Sequence, residues 1–255
     1  MKDAFYIGWA AKAAPGSGKT VRRTVIGLLI LSVLTATVLA LAQRMIAVSV
    51  FEWGTVKKFS GVLQIRPYPN LLVPRPGASG TQSGFSTYYL VAPFKFGLDG
   101  EKLSQLAGQL VSLQGTLIYR GSQTMVETLT DSIKAAGEPR PTLSRMETIE
   151  LGRQTLTGEI VDSKCFLGVM NPGQLLPHRA CAIRCISGGV PPVLLVRQKD
   201  GPAIYLLLVS SEGKPVNQQV LNLVAEPVEI TGDVERQGDL LILRADPFTY
   251  KRVSR

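Results

Sequence analysis

The chain has 255 residues, 45% hydrophobic and 18% charged, a globular composition that excludes disorder and a collagen-like repeat. That length holds one large domain or two of about 100 residues each. The formal net charge is +9, yet no dense Lys/Arg run with interleaved aromatics is present, which argues against a nucleic-acid partner.

The charge is uneven. Residues 1–24 carry Lys2, Lys12, Lys19, Arg22 and Arg23 against Asp3 alone, a local balance of +4. Within this stretch Ala13–Thr20, AAPGSGKT, fits the relaxed phosphate-loop pattern. A working phosphate loop needs a buried strand before it and a soluble helix after it, so that backbone N–H groups surround the phosphates. No apolar strand precedes this one, and an apolar run begins four residues later. Residues 1–23 therefore read as a flexible basic tail, and no nucleotide is expected as a partner.

Thr24 to Ala42 reads TVIGLLILSVLTATVLALA, 19 residues without a charge. At about 1.5 Å per residue such a helix spans roughly 28 Å, close to the hydrocarbon thickness of a bilayer. Arg22 and Arg23 directly before it place the N-terminus in the cytoplasm and the chain after the span outside. A cleaved signal peptide competes, because Ala40-x-Ala42 fits a cleavage site; the run exceeds the usual length of about 7–15 apolar residues. Residues 24–42 are read as a single-pass anchor in the inner (cytoplasmic) membrane, with the remainder periplasmic or extracellular.

The exported part repeats itself. FSGVLQIRPYPNLLV from Phe59 matches LTGEIVDSKCFLGV from Leu156, each a short alternating strand with glycine third. YYLVAPFKFG (88–97) matches YLLLVSSEGK (205–214), each an apolar strand ending in a polar turn, and Leu106–Ile133 matches Leu223–Tyr250, each a short helix end, a strand, a glycine, a hairpin and a final strand. Five short strands and one short helix per copy predict a small closed barrel compatible with an OB-like fold. The expected class is mainly β: two tandem OB-like barrels, 50–134 and 151–255, after one transmembrane helix. Ala135–Glu150, with two prolines and mixed charge, is read as the connector. Pro74–Gly84 reads as a mobile loop.

Every cysteine and the only histidine lie in one 21-residue window, where Cys165, His178, Cys181 and Cys185 read C-x12-H-x2-C-x3-C. HRACAIRCIS predicts a short helix from His178 to Ser187 with positions 178, 181 and 185 on one side. Residues seven apart on a helix have Cα atoms about 10.5 Å apart. With metal–ligand bonds of about 2.0–2.3 Å, one ion reaches both His178 and Cys185 only if His178 lies in the loop after Pro177; otherwise His178 has a second role. Four readings compete: a Cys3His site for zinc or iron; a disulfide from Cys165 to Cys181 or Cys185, the default of an oxidising compartment; copper, with Met170 as an extra soft ligand; and redox or haem chemistry, for which the C-x-x-C-H attachment motif is absent. Glu159 and Asp162 fall on opposite faces of one strand and make no acid/base pair. Asp162 reads as a solvated strand-end carboxylate, with a role orienting His178 or a cysteine as the alternative. No G-x-S-x-G, HExxH or dinucleotide-binding glycine pattern is present.

GEIVDSKCFLG, HRACAIRC and the following Gly-Gly resemble a group of exported bacterial OB-like domains patterned G-x-[IV]-x-D-x-x-C, His, C-x3-C. The resemblance covers roughly Leu156–Tyr250. The tail, anchor and first barrel also resemble bacterial membrane-anchored proteins with tandem OB-like exported domains. The resemblance implies compartment and fold rather than an activity.

The sequence therefore points to a non-catalytic, membrane-anchored accessory protein serving a membrane or exported partner. Its second barrel binds zinc, iron or copper through Cys165, His178, Cys181 and Cys185, or is stapled by a disulfide. The alternatives are a thiol–disulfide enzyme, with Arg179 and Arg184 activating a cysteine, and a purely structural interaction module.

Overall fold

The computed structural model describes residues 15–43, 49–75, 84–137, 148–199 and 203–253. The tail before Pro15, most of the Pro74–Gly84 loop and the centre of the 135–150 connector lie outside the described residues. The chain divides into two compact units, Met1–Ala47 and Val48–Arg255.

The first unit holds helix α1, Pro15–Gln43. Proline at the first helical position costs no hydrogen bond there. Gly16 to Thr20 belong to this helix rather than to a loop able to wrap a phosphate. The stretch Gly16–Ala42 is long and apolar enough to cross a membrane, and from Thr24 to Ala42 it carries no charged side chain.

The second unit is two closed five-stranded barrels of the same topology. In the first, β1 (Ser49–Gln64), β2 (Asn70–Pro74), β3 (Phe85–Val91), β4 (Leu110–Arg120) and β5 (Gln123–Thr128) close in the order β1-β2-β3-β5-β4-β1. Only the β3–β5 pairing is parallel. A two-residue strand β6 (Lys134–Ala135) adds to β4. In the second, β7 (Thr148–Asp162), β8 (Pro192–Val196), β9 (Ile204–Val209), β10 (Pro227–Gln237) and β11 (Leu240–Arg244) close the same way. Here β9–β11 is the parallel pair, and β12 (Lys251–Arg252) adds to β10. This is the OB-like arrangement. The expected helix between third and fourth strands is reduced in each barrel to one 3-10 turn, Ser104–Leu106 and Leu221–Leu223.

The repeated glycines explain the repeated closure. A Cβ on Gly61 would lie 2.3 Å from the Leu72 carbonyl oxygen, and one on Gly158 would lie 2.6 Å from that of Leu195. Gly115 and Gly232 face the oxygens of Glu127 and Arg244 at 2.5 and 2.4 Å. At each of these crossings a neighbouring strand passes too close for any side chain.

Each barrel has its own core. Leu63, Leu71, Leu90, Val111, Leu113 and Val126 fill the first. Leu194, Leu206, Leu208, Ile230 and Leu243 are among those filling the second. A third cluster joins them: Tyr89, Val91, Ile118 and Met125 of the first barrel pack on Val193, Leu195, Leu207, Val209 and Ile242 of the second. Strands β8 and β9 are therefore buried on both faces, which is why PVLLV and IYLLLV read as unbroken apolar runs.

Polar contacts pin this interface. The Tyr68 hydroxyl donates to the Leu208 carbonyl at 3.4 Å and accepts from the Val216 N–H at 3.1 Å. Asp239, on the β10–β11 hairpin, accepts from the Thr87 N–H and pairs with Arg75. Lys164, 1% exposed, pairs with Glu127 at 2.5 Å and donates to the carbonyls of Ala92 and Phe94 at 2.9 and 2.6 Å. All three partners belong to the first barrel.

Two substitutions and one control test this account by thermal unfolding. Lys164→Met strands the Glu127 carboxylate and should destabilise by about 3–5 kcal/mol. Gly158→Ala drives a methyl into a backbone oxygen and should cost about 1–3 kcal/mol. Gly84→Ala, with nothing within 4 Å of its Cβ position, should change stability by less than about 0.5 kcal/mol.

Candidate metal centre

The Cys/His window occupies the long connection from β7 to β8. Lys164 enters it, Cys165–Val169 forms one π-helical turn, and Leu176–His178 forms a 3-10 turn. Helix α2, Arg179–Ser187, follows, with His178 as its N-cap residue and Gly188 as its C-cap. The expected helix is present, and the π turn, a form often found at functional sites, is new. Gly173 lets the connection fold back, since a Cβ there would sit 2.5 Å from the Cys165 carbonyl oxygen.

This folding gathers every thiol. Cys165 Sγ lies 3.9 Å from Cys181 Sγ and 3.9 Å from Cys185 Sγ. All three are free cysteines; a disulfide needs about 2.05 Å. Cys165 and Cys185 are buried, and Cys181 is half-buried. His178 is buried, and its Nε2 lies 2.9 Å from Asp162 Oδ2. The candidate ligand atoms fall into two overlapping groups, each with all members within 4.8 Å: Cys165, His178 and Cys181; and Asp162, Cys165 and Cys185. His178, at the end of the 3-10 turn, and Cys185, in α2, belong to different groups. Cys165 belongs to both.

Asp162 departs from expectation. It is fully buried rather than solvated. Its Oδ1 accepts from the Cys165 N–H at 2.8 Å while Oδ2 engages His178. The carboxylate thus orients both a thiol-bearing turn and the imidazole, the relation that fixes ligand geometry in metal sites. Glu159, on the opposite face, goes elsewhere: it pairs with Arg197 and accepts from the Leu175 N–H.

The first barrel also supplies a side chain that no local sequence pattern picks out. Lys95, in the loop after β3, places its ammonium 2.7 Å from Cys181 Sγ. The loop is fixed on all sides. Lys164 holds the Ala92 and Phe94 carbonyls, the Ala92 N–H bonds the Phe96 carbonyl, and the Gly97 N–H bonds the Gly188 carbonyl at the end of α2. The arginines expected to polarise a thiol are engaged otherwise. Arg179 pairs with Glu226, and Arg184 lies over the Phe96 ring.

The electrostatics follow the contacts. A hydrogen bond with Cys185, burial and the Asp162 charge push the Cys165 thiol far above the ordinary thiol range, and the same bond lowers Cys185. The hydrogen bond to Cys181 raises the Lys95 ammonium. No protein-family model matches the chain, and no curated protein matches it.

Burial orders the three thiols. In metal-free, reduced protein under native conditions, a disulfide reagent such as Ellman's should titrate one thiol quickly and all three only in denaturant. Cys181→Ser should remove the fast phase and leave the slow one.

Proposed function

We propose that this protein is a membrane-anchored accessory protein whose second barrel binds a metal ion in the cluster of Cys165, His178, Cys181 and Cys185, with Cys165 shared by the two groups of converging ligand atoms, Cys165–His178–Cys181 and Asp162–Cys165–Cys185. The observation that carries the reading is the spacing of the thiols. A tetrahedral ion with metal–sulfur bonds of about 2.3 Å has ligand–ligand edges of about 3.8 Å, and both Cys165 sulfur separations are 3.9 Å. The buried Asp162–His178 pair is the support such a site uses to hold its imidazole. Thiolate-rich sets favour zinc, iron or copper(I) over hard cations.

The anchor is α1, with its N-terminus in the cytoplasm after the rule that basic flanks stay inside and the barrels periplasmic or extracellular. The partner is a membrane or exported protein rather than a nucleic acid. An OB barrel reads oligonucleotides on its second and third strands and on the loop joining its fourth and fifth. In the second barrel those strands are buried against the first, and Asp239 of that loop is bonded to it.

A second reading, thiol–disulfide exchange, draws support from Lys95 beside the half-buried Cys181. Its test is a mixed disulfide trapped by Cys165→Ser or Cys185→Ser but not by Cys181→Ser. Failure with all single variants counts against it.

Metal content decides the leading reading. Full-length protein purified in detergent without chelator should carry about one metal per chain and three free thiols. Cys181→Ser with Cys185→Ser should abolish metal, and Asp162→Asn should weaken binding by about 10–100-fold. Wild-type protein without metal, or a double variant that retains it, would overturn the metal reading.

A further inference from the structure

The Lys95–Cys181 contact goes beyond metal binding. Its nitrogen–sulfur separation is 2.7 Å. An N–H···O hydrogen bond averages about 2.9–3.0 Å, and the larger radius of sulfur lengthens N–H···S further. The two atoms therefore sit closer than a relaxed hydrogen bond places them. They sit where nitrogen and sulfur sit when one oxygen joins them. Single bonds of about 1.4 Å (N–O) and about 1.7 Å (O–S), bent at oxygen, span about this distance. A direct nitrogen–sulfur bond would be far shorter.

We propose that Lys95 and Cys181 form a reversible lysine–cysteine N–O–S cross-link, a redox modification site that ties the first barrel to the second.

The surroundings select this pair. Cys181 is the half-buried thiol, whereas Cys165 and Cys185 are 3% and 1% exposed. Among the described residues no carboxylate pairs with Lys95; its one polar partner is Cys181. The amine does not reach the sulfur by chance rotation of a free loop. Lys164 grips the carbonyls on either side of residue 93, and Gly97 is bonded to Gly188. Gly97 and Gly188 permit this, because a Cβ on either would strike a backbone oxygen within 2.2 Å. Two reacting groups held in this way behave as one molecule rather than two.

The reaction balances with dioxygen as the oxidant. Cys181 gives up its thiol hydrogen, and the Lys95 ammonium, after releasing one proton to solvent, gives up one of its two remaining hydrogens. Two electrons leave sulfur and two leave nitrogen, and these four reduce one dioxygen. One of its oxygen atoms becomes the bridge, and the other leaves as water with the two hydrogens. Two dithiol equivalents return four electrons and four protons, release the bridging oxygen as water and restore both side chains. While the bridge stands, Cys181 is withdrawn from the thiol set, so the cross-link and metal occupancy exclude each other at this sulfur.

The test uses full-length protein in detergent, stripped of metal and held in oxygen-saturated buffer without reductant. Intact mass spectrometry should show a gain of about 14 Da, one oxygen gained and two hydrogens lost. Dithiothreitol should remove the gain, and a digest should contain a peptide joining Lys95 to Cys181. Cys181→Ser should lack the shift. So should Lys95→Arg, which keeps the positive charge without a primary amine. An unchanged mass, a loss of about 2 Da from a disulfide, or a gain of about 16 Da from a sulfenic acid would each overturn the cross-link. So would a 14 Da gain that survives dithiothreitol, which marks a methyl group. Metal content, measured on reduced protein before stripping, reports on the metal site separately, so either idea fails without the other.

Discussion

The Lys164 ammonium leaves water completely and finds its compensation in the other barrel: one carboxylate, Glu127, and two carbonyls, Ala92 and Phe94. An unpaired buried cation costs several kcal/mol, so this arrangement holds only while the two barrels stay together. Much of the site follows from it. Lys164 immediately precedes Cys165, so anchoring the lysine sets where the π turn begins. By clasping the carbonyls of Ala92 and Phe94 it also fixes the loop that carries Lys95 to Cys181. The interface and the thiol cluster are consequently one construction. Its apolar part, the Tyr89–Met125 face against β8, β9 and β11, supplies burial, and the lysine supplies register.

The fold was readable because the same constraint acts twice. Glycine is required wherever a strand crosses too close to its neighbour, and Gly61 and Gly158 recur at corresponding positions, as do Gly115 and Gly232. Alternating and unbroken apolar runs marked the strands. The helix between third and fourth strands was overestimated, since a single 3-10 turn suffices to span that gap.

The site was legible in part. The thiols and His178 stood out by type, and the helical spacing of 178, 181 and 185 placed them on one side of α2. The spacing left one ion within reach of both His178 and Cys185 only if His178 stood outside the helix; in the structure the two fall into separate groups. Asp162 was misjudged because a carboxylate at a strand end is usually solvated; its burial depends on the connection folding back over it, a tertiary event. Lys95 lies 70 positions before Cys165 in an unremarkable turn. Only the docking of two barrels brings it to the thiols, and no local pattern encodes that.

The shared face of the barrels also has a temporal side. A chain is made from its N-terminus, so β1 to β5 are complete before Lys164 exists. Until then Tyr89, Val91, Ile118 and Met125 form an uncovered apolar sheet. A half-made molecule of this kind exposes what aggregating intermediates expose. The tandem repeat is thus more than two copies of a stable module, because the second half covers the apolar face that the first leaves open.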